Sequence, residues 1–218
     1  MSNSFDERVE KLLDALHTKD IETSGHTTRV ARLAVRLGRA AGLSAQELTS
    51  LHYGALLHDV GKLTTRIEVL QKPGKLDAAE QAHMRAHALA GEMIVGFHEF
   101  PFEVIEIVAQ HHERYDGEGY PRGLKGDEIC RGARVFAVAD TLDAMTSNRC
   151  YRRAPGYTAA RAEIERCSGS QFDPLVVAAF LSITPSAWTN HKRAPRPGFR
   201  APASISSKES AYIHREQP

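Results

Sequence analysis

The stretch Ser44-Ala-Gln-Glu-Leu-Thr-Ser-Leu-His-Tyr-Gly-Ala-Leu-Leu-His-Asp-Val-Gly-Lys62 decides the fold. Ser44 followed by Glu47 is a capping-box signature, which satisfies two backbone donors that a helix start otherwise leaves open. Leu48, Leu51, Ala55 and Leu56 then recur at helical spacing, and the run ends in an imidazole beside a carboxylate, His58-Asp59. Gly61 marks a break. A His-Asp pair at a helix end is more often structural than chemical, so its meaning depends on what other helices bring to it.

Outward from this helix the same period recurs in both directions. Phe5, Val9, Leu12, Leu13 and Leu16 share one face, and a helix over 22–41 carries Val30, Leu33, Ala34 and Leu37 before Gly42 ends it. Downstream, Asp77 with Glu80 caps a helix expected to run through Gly96. Further helices are expected over 103–113, 129–145 and 158–167, and from Asp173 with Pro174 at the first helical position. Residues 116–126 hold four glycines and a proline and read as a loop. No run alternates well enough for a sheet, so the fold class is all-α. From Thr184 the composition turns to Pro, Ser, Ala and Arg. The division expected is therefore a folded domain over 1–183 and a disordered basic tail over 184–218.

Composition excludes several classes. No segment approaches the roughly 20 apolar residues of a membrane span. The N-terminus has no signal-peptide pattern, so the expected location is the cytoplasm. Cys130, Cys150 and Cys167 include no CxxC pair, which speaks against a disulfide framework or a thiolate zinc site. Of the overall +1 charge, the tail beyond residue 190 carries six Lys/Arg against two Glu, leaving the remainder mildly acidic. A general nucleic-acid-binding surface is not expected on such a body.

The chemistry lies in the histidines. Glu22 and His26 stand four apart on one predicted helix face, His87 sits on a later helix, and His111-His112 close another. Asp140 interrupts the apolar run Val135-Phe-Ala-Val-Ala139, where an unpartnered carboxylate is costly. With His58 and Asp59 these make eight potential ligands, all nitrogen or oxygen, which suit iron, manganese or zinc. Two or three divalent ions fit that number, with Asp59 bridging a pair. At about 100° per residue, His111 and His112 are expected to serve different ions. Such a centre activates a bridging water and clamps an in-line displacement at phosphorus.

Several segments resemble the HD-GYP family. His58-Asp-Val-Gly-Lys62 is similar to its HD signature, and His111-His-Glu-Arg-Tyr-Asp-Gly-Glu-Gly-Tyr-Pro-Arg-Gly-Leu-Lys-Gly126 to its HHExxDGxGYPxGLxG motif. The segment Asp140-Thr-Leu-Asp-Ala-Met-Thr-Ser-Asn-Arg-Cys-Tyr-Arg152 and the late Gln171-Phe-Asp-Pro174 also match. The resemblance covers roughly 8–183. It implies an HD-superfamily helical bundle with a Gly-rich GYP loop that hydrolyses cyclic di-GMP to pGpG and GMP, or prefers 3',3'-cyclic GMP-AMP. It implies metal ligation by His26, His58, Asp59, His87, His111, His112 and Asp140, with Glu22 matching the extra carboxylate of three-metal members. It implies that Lys62 reaches the scissile phosphate, that Tyr120 contacts the ligand, and that Arg149 and Arg152 bind phosphate.

Cys150 departs from the usual proline of the last motif, and Thr64-Thr-Arg-Ile67 from a small-residue turn. The GYP loop has three readings: a structural wall of the pocket, a substrate contact, or a docking element for a partner such as a diguanylate cyclase or another regulatory protein. A weakly catalytic adaptor and a hydrolase of other nucleotides are the alternatives to a phosphodiesterase. A homodimer is one expected mode of regulation, and the basic tail one candidate contact. The short segment ahead of Glu22 leads to the expectation of a stand-alone domain. Asp116 and Asp143 are expected to support the site rather than bind metal.

Overall fold

The computed structural model describes residues 5–20, 23–147 and 154–189. Glu22, Arg149, Cys150, Arg152 and the tail beyond residue 189 lie outside the described residues. Among the described residues every regular element is a helix, and none is long and apolar enough to cross a membrane.

The chain begins with α1 (Phe5–Lys19), α2 (Thr23–Ala40) and α3 (Ala45–Leu57). Gly42 takes φ +75° in the α2–α3 turn, a conformation open to glycine at little cost. The capping box forms as read: Ser44 Oγ accepts from the Glu47 N–H at 3.2 Å, and Glu47 accepts from the Ser44 N–H at 2.8 Å. A short 3-10 helix, Val60–Thr64, follows His58-Asp59 and leads to α4 (Ile67–Leu70).

The helix expected from Asp77 through Gly96 is two helices. Asp77 and Glu80 cap α5 (Ala78–Arg85) reciprocally, but the chain turns at Ala86 and restarts as α6 (His87–Phe97). Apolar periodicity on both sides of a one-residue break looks continuous in sequence, which is why the interruption was invisible there. α7 (Phe102–Gln110), α8 (Arg131–Thr146), α9 (Tyr157–Arg166), α10 (Pro174–Ser182) and α11 (Pro185–Thr189) complete the bundle.

Two buried clusters hold the helices together. Val30, Leu33 and Leu37 of α2 pack with Leu51, Phe136, Leu142, Ile164 and Phe180. Val9 and Leu12 of α1 pack with Tyr53, Leu57, Val95, Val104 and Val108. α3 contributes to both, so its C-terminal end emerges where the two clusters meet. The boundary expected at 183/184 falls short of the packed chain. Trp188 is 2% exposed and packs on Phe180 with ring centroids 5.2 Å apart. One large aromatic anchors the segment despite its proline- and serine-rich composition.

Candidate metal centre

Helix ends supply most of the candidate ligands. His58 is the C-cap of α3, His87 opens α6, and His111 is the C-cap of α7. Each places its Nδ1 against a carbonyl three residues earlier: His58 on Ala55 at 2.9 Å, His87 on Met84 at 2.6 Å and His111 on Val108 at 2.7 Å. A carbonyl only accepts, so Nδ1 is the donor in all three, and in the uncharged rings of His87 and His111 Nε2 presents a lone pair.

Those lone pairs converge. His87 Nε2 lies 3.1 Å from His111 Nε2 and 3.2 Å from His112 Nε2. Burial pushes the His87 and His111 imidazoles below their usual range, and burial with the neighbouring His87 takes His112 down to about 4. At neutral pH these rings are uncharged, so no proton is shared between the facing nitrogens of His87 and His111. Closely apposed acceptors without a proton fit a cation, and nitrogen donors of this kind suit a divalent transition metal.

A second group forms from His26 on α2, His58, and Asp140 on α8, whose ligand atoms all lie within 4.8 Å of one another, as do those of His87, His111 and His112. Asp59 stands between the groups. Its Oδ2 is 3.2 Å from His58 Nε2, and its Oδ1 is 3.5 Å from His87 Nε2. One carboxylate thus offers an oxygen to each group. Burial pushes the Asp59 carboxyl up, but the opposed charges of His58 and Lys62 bring it well below the ordinary carboxylate range.

His111 and His112 do not divide between the two groups as expected. α7 ends at Gln110, so the two residues occupy a turn where the 100° helical increment no longer applies. Their rings lie 4.0 Å apart, and both join His87 in one group.

Asp143, one turn after Asp140, belongs to neither group but contacts His26. Its carboxylate accepts from His26 Nδ1 at 2.8 Å and from Arg29 Nε at 2.7 Å. The His26 Nε2 faces Asp140 Oδ1 at 3.3 Å. Burial lowers the His26 pKa, but hydrogen bonds to Asp140 and Asp143 outweigh it and raise the value to about 9. Arg29 was not singled out in the sequence, although its place one turn after His26 was a usable signal.

Lys62 bonds Asp59 Oδ2 at 2.8 Å and approaches Asp20 at 3.5 Å. Burial disfavours its charge, yet Asp59 and Asp20 raise its pKa. A fixed cation therefore borders the Asp59 carboxylate.

The GYP loop forms one wall of an open cleft of 270 Å³, whose lining includes His111, His112, Tyr120, Asp140 and Arg85. The Tyr120 ring stacks on His112 with centroids 4.6 Å apart. Glu113, a buried carboxylate within the motif, accepts from the N–H groups of Arg122 at 2.7 Å and Leu124 at 3.1 Å. Gly119 folds so closely on this backbone that a Cβ there would lie 2.5 Å from Glu113 Cα. Asp116 closes the loop start by accepting from the Glu118 N–H at 3.0 Å. The role of Glu113 was not legible, since a glutamate between two candidate ligands and a glycine-rich segment reads equally well as solvated.

Residues 10–176 match the HD domain family. A cyclic di-GMP phosphodiesterase of Thermotoga maritima is 41% identical over 167 residues, which make up 76% of this chain and 45% of that protein. A 3'3'-cGAMP-specific phosphodiesterase of Vibrio cholerae is 39% identical over 183 residues, covering 82% of this chain and 39% of that protein. The crystal structure of a cyclic GMP-AMP specific phosphodiesterase of V. cholerae superposes with a TM-score of 0.62 at 20% identity, over 83% of this chain and 50% of that one. It shares the fold. The chain spans less than half the length of these two curated relatives. Since the family match runs from ahead of His26 to beyond Asp140 and takes in the GYP loop that walls the cleft, the chain belongs to the HD domain family, in its HD-GYP branch.

Proposed function

We propose that the protein is a metal-dependent phosphodiesterase that opens cyclic di-GMP to linear pGpG, with GMP as the product of a second cut. The observation that carries this reading is the position of Asp59, whose two oxygens face His58 of one ligand group and His87 of the other. Two ions so held would supply an activated water and a clamp for the phosphoryl oxygens. Iron or manganese suits the nitrogen and oxygen donors, with zinc as the third choice. Glu22, outside the described residues, is assigned to a third ion.

The remaining roles fall to the chain's own groups. Lys62, charged beside Asp59, is assigned to the scissile phosphate, where it offsets charge on the phosphoryl oxygens. Tyr120 walls the cleft over His112 and is assigned to the ligand. Arg149 and Arg152 are assigned to substrate phosphate, on the motif alone. A preference for 3',3'-cyclic GMP-AMP is the second reading, favoured by the 39% identity to a relative named for that substrate.

Protein loaded anaerobically with Fe(II) or Mn(II) and incubated with each cyclic dinucleotide tests both. Faster formation of pGpG supports the first reading, and faster opening of cyclic GMP-AMP the second. Turnover of neither, with both metals bound, overturns the assignment.

A further inference from the structure

Arg85 belongs to none of the roles above. It lies in the last turn of α5, two residues before His87, and is solvent-exposed. Its guanidinium sits over the Tyr120 ring, 5.1 Å from the centroid, and Tyr120 in turn stacks on His112. Arg85 thus forms the outer layer of a three-tier stack whose inner layer is a candidate metal ligand.

Among the described cations lining this cleft, Arg114 is bound to Asp116. Arg85 has no carboxylate within ion-pair distance among the described residues; the nearby ring is the contact that holds it. Stacking occupies one face of a guanidinium and leaves its in-plane N–H groups free to donate. A planar fork of donors beside an anion-processing centre suits two oxygens of one phosphate.

We propose that Arg85 binds the phosphate of the cyclic dinucleotide that is not being cleaved, with Tyr120 as the residue that positions it. This rests on the phosphodiesterase reading above. A substrate with a single phosphodiester, such as bis(p-nitrophenyl) phosphate, reaches the metal centre but has no second phosphate for Arg85 to hold.

Arg85→Ala, Arg85→Lys and the parent protein are compared with equal metal content. Arg85→Ala is expected to raise KM for cyclic di-GMP by about tenfold to a hundredfold, the usual worth of a charge-assisted hydrogen bond, with kcat little changed. The dissociation constant of the cleavage-resistant bis-phosphorothioate analogue rises in parallel. Arg85→Lys recovers part of the loss, and hydrolysis of bis(p-nitrophenyl) phosphate is unaffected. Losses that match for cyclic di-GMP and cyclic GMP-AMP support a phosphate contact; a loss confined to one of them overturns it in favour of base recognition. An unchanged KM and dissociation constant in Arg85→Ala, beside a parent that turns over cyclic di-GMP, overturns the Arg85 assignment alone. A parent that hydrolyses bis(p-nitrophenyl) phosphate but neither binds nor cleaves a cyclic dinucleotide overturns the phosphodiesterase reading, and this assignment with it.

Discussion

Gly61 presses directly against the first turn of the helix that carries His87. A Cβ at Gly61 would overlap the His87 carbonyl oxygen and lie 2.5 Å from the backbone nitrogen of Gly91. These neighbours are backbone atoms and cannot rotate aside. Gly61→Ala must therefore push the 3-10 turn after Asp59 away from α6 and widen the gap between Asp59 and His87. The expected cost is about 1–3 kcal/mol of stability or more. Urea denaturation should register that loss, and metal analysis should find lower occupancy in the variant.

Asp143 holds His26 by Nδ1 and is itself held by Arg29. Asp143→Ala removes the group that fixes the His26 ring while leaving every candidate ligand in place. Metal affinity is expected to fall by roughly 10- to 100-fold. Competition with a fluorescent chelator measures this directly, and an unchanged affinity would count against the assignment of His26 as a ligand.

Opposite pH trends should bracket the metal-free protein. The folded pKa of His26, about 9, lies above the ordinary 6.5. Its contribution is complete below pH 6.5 and is lost as the pH rises through about 9. His112, at about 4 in the folded chain, lies below 6.5. The unfolded chain then binds its proton first, so stability is lost as the pH falls from 6.5 towards 4. Thermal unfolding in excess chelator should therefore show a maximum between these limits. Bound metal takes the place of the His26 Nε2 proton, and the alkaline decline should diminish.

Glu113 accepts two backbone N–H groups from the far side of the GYP loop. Glu113→Ala leaves both donors without that acceptor, at about 1–3 kcal/mol for each one that remains buried. Hydrogen exchange at Arg122 and Leu124 should accelerate, while the ion pair between Arg122 and Glu92, at 2.6 Å, still tethers the loop to α6. Combining Glu113→Ala with Glu92→Ala should free the loop further than either change alone.

Much of this arrangement was legible because it is local. The Ser44–Glu47 box, the Gly42 turn and the apolar stripes of α1 to α3 depend on residues a few positions apart. The candidate ligands were legible as residue types that are expensive to bury without a partner, Asp140 among them. What escaped depends on where helices stop. The turn at Ala86 and the end of α7 at Gln110 leave no mark in the hydrophobic period, yet the first divides the predicted helix in two and the second leaves His111 and His112 in a turn, within one group. Trp188 escaped for a different reason: one buried ring outweighs the composition of the segment around it. The partners of Asp143 lie more than a hundred residues away, and those of Glu113 depend on how the glycine-rich loop folds back, so spacing alone cannot supply either.

His58, His87 and His111 each have Nδ1 fixed by a carbonyl three residues back in the chain, whereas His26 has its Nδ1 fixed by Asp143, 117 residues away. The first three can acquire their ligating form as soon as their own helix end exists. His26 acquires it only after α2 has docked on α8. The candidate ligands therefore differ in what orders them: His58, His87 and His111 depend on their own helix ends, whereas His26 waits for two helices far apart in the chain to meet.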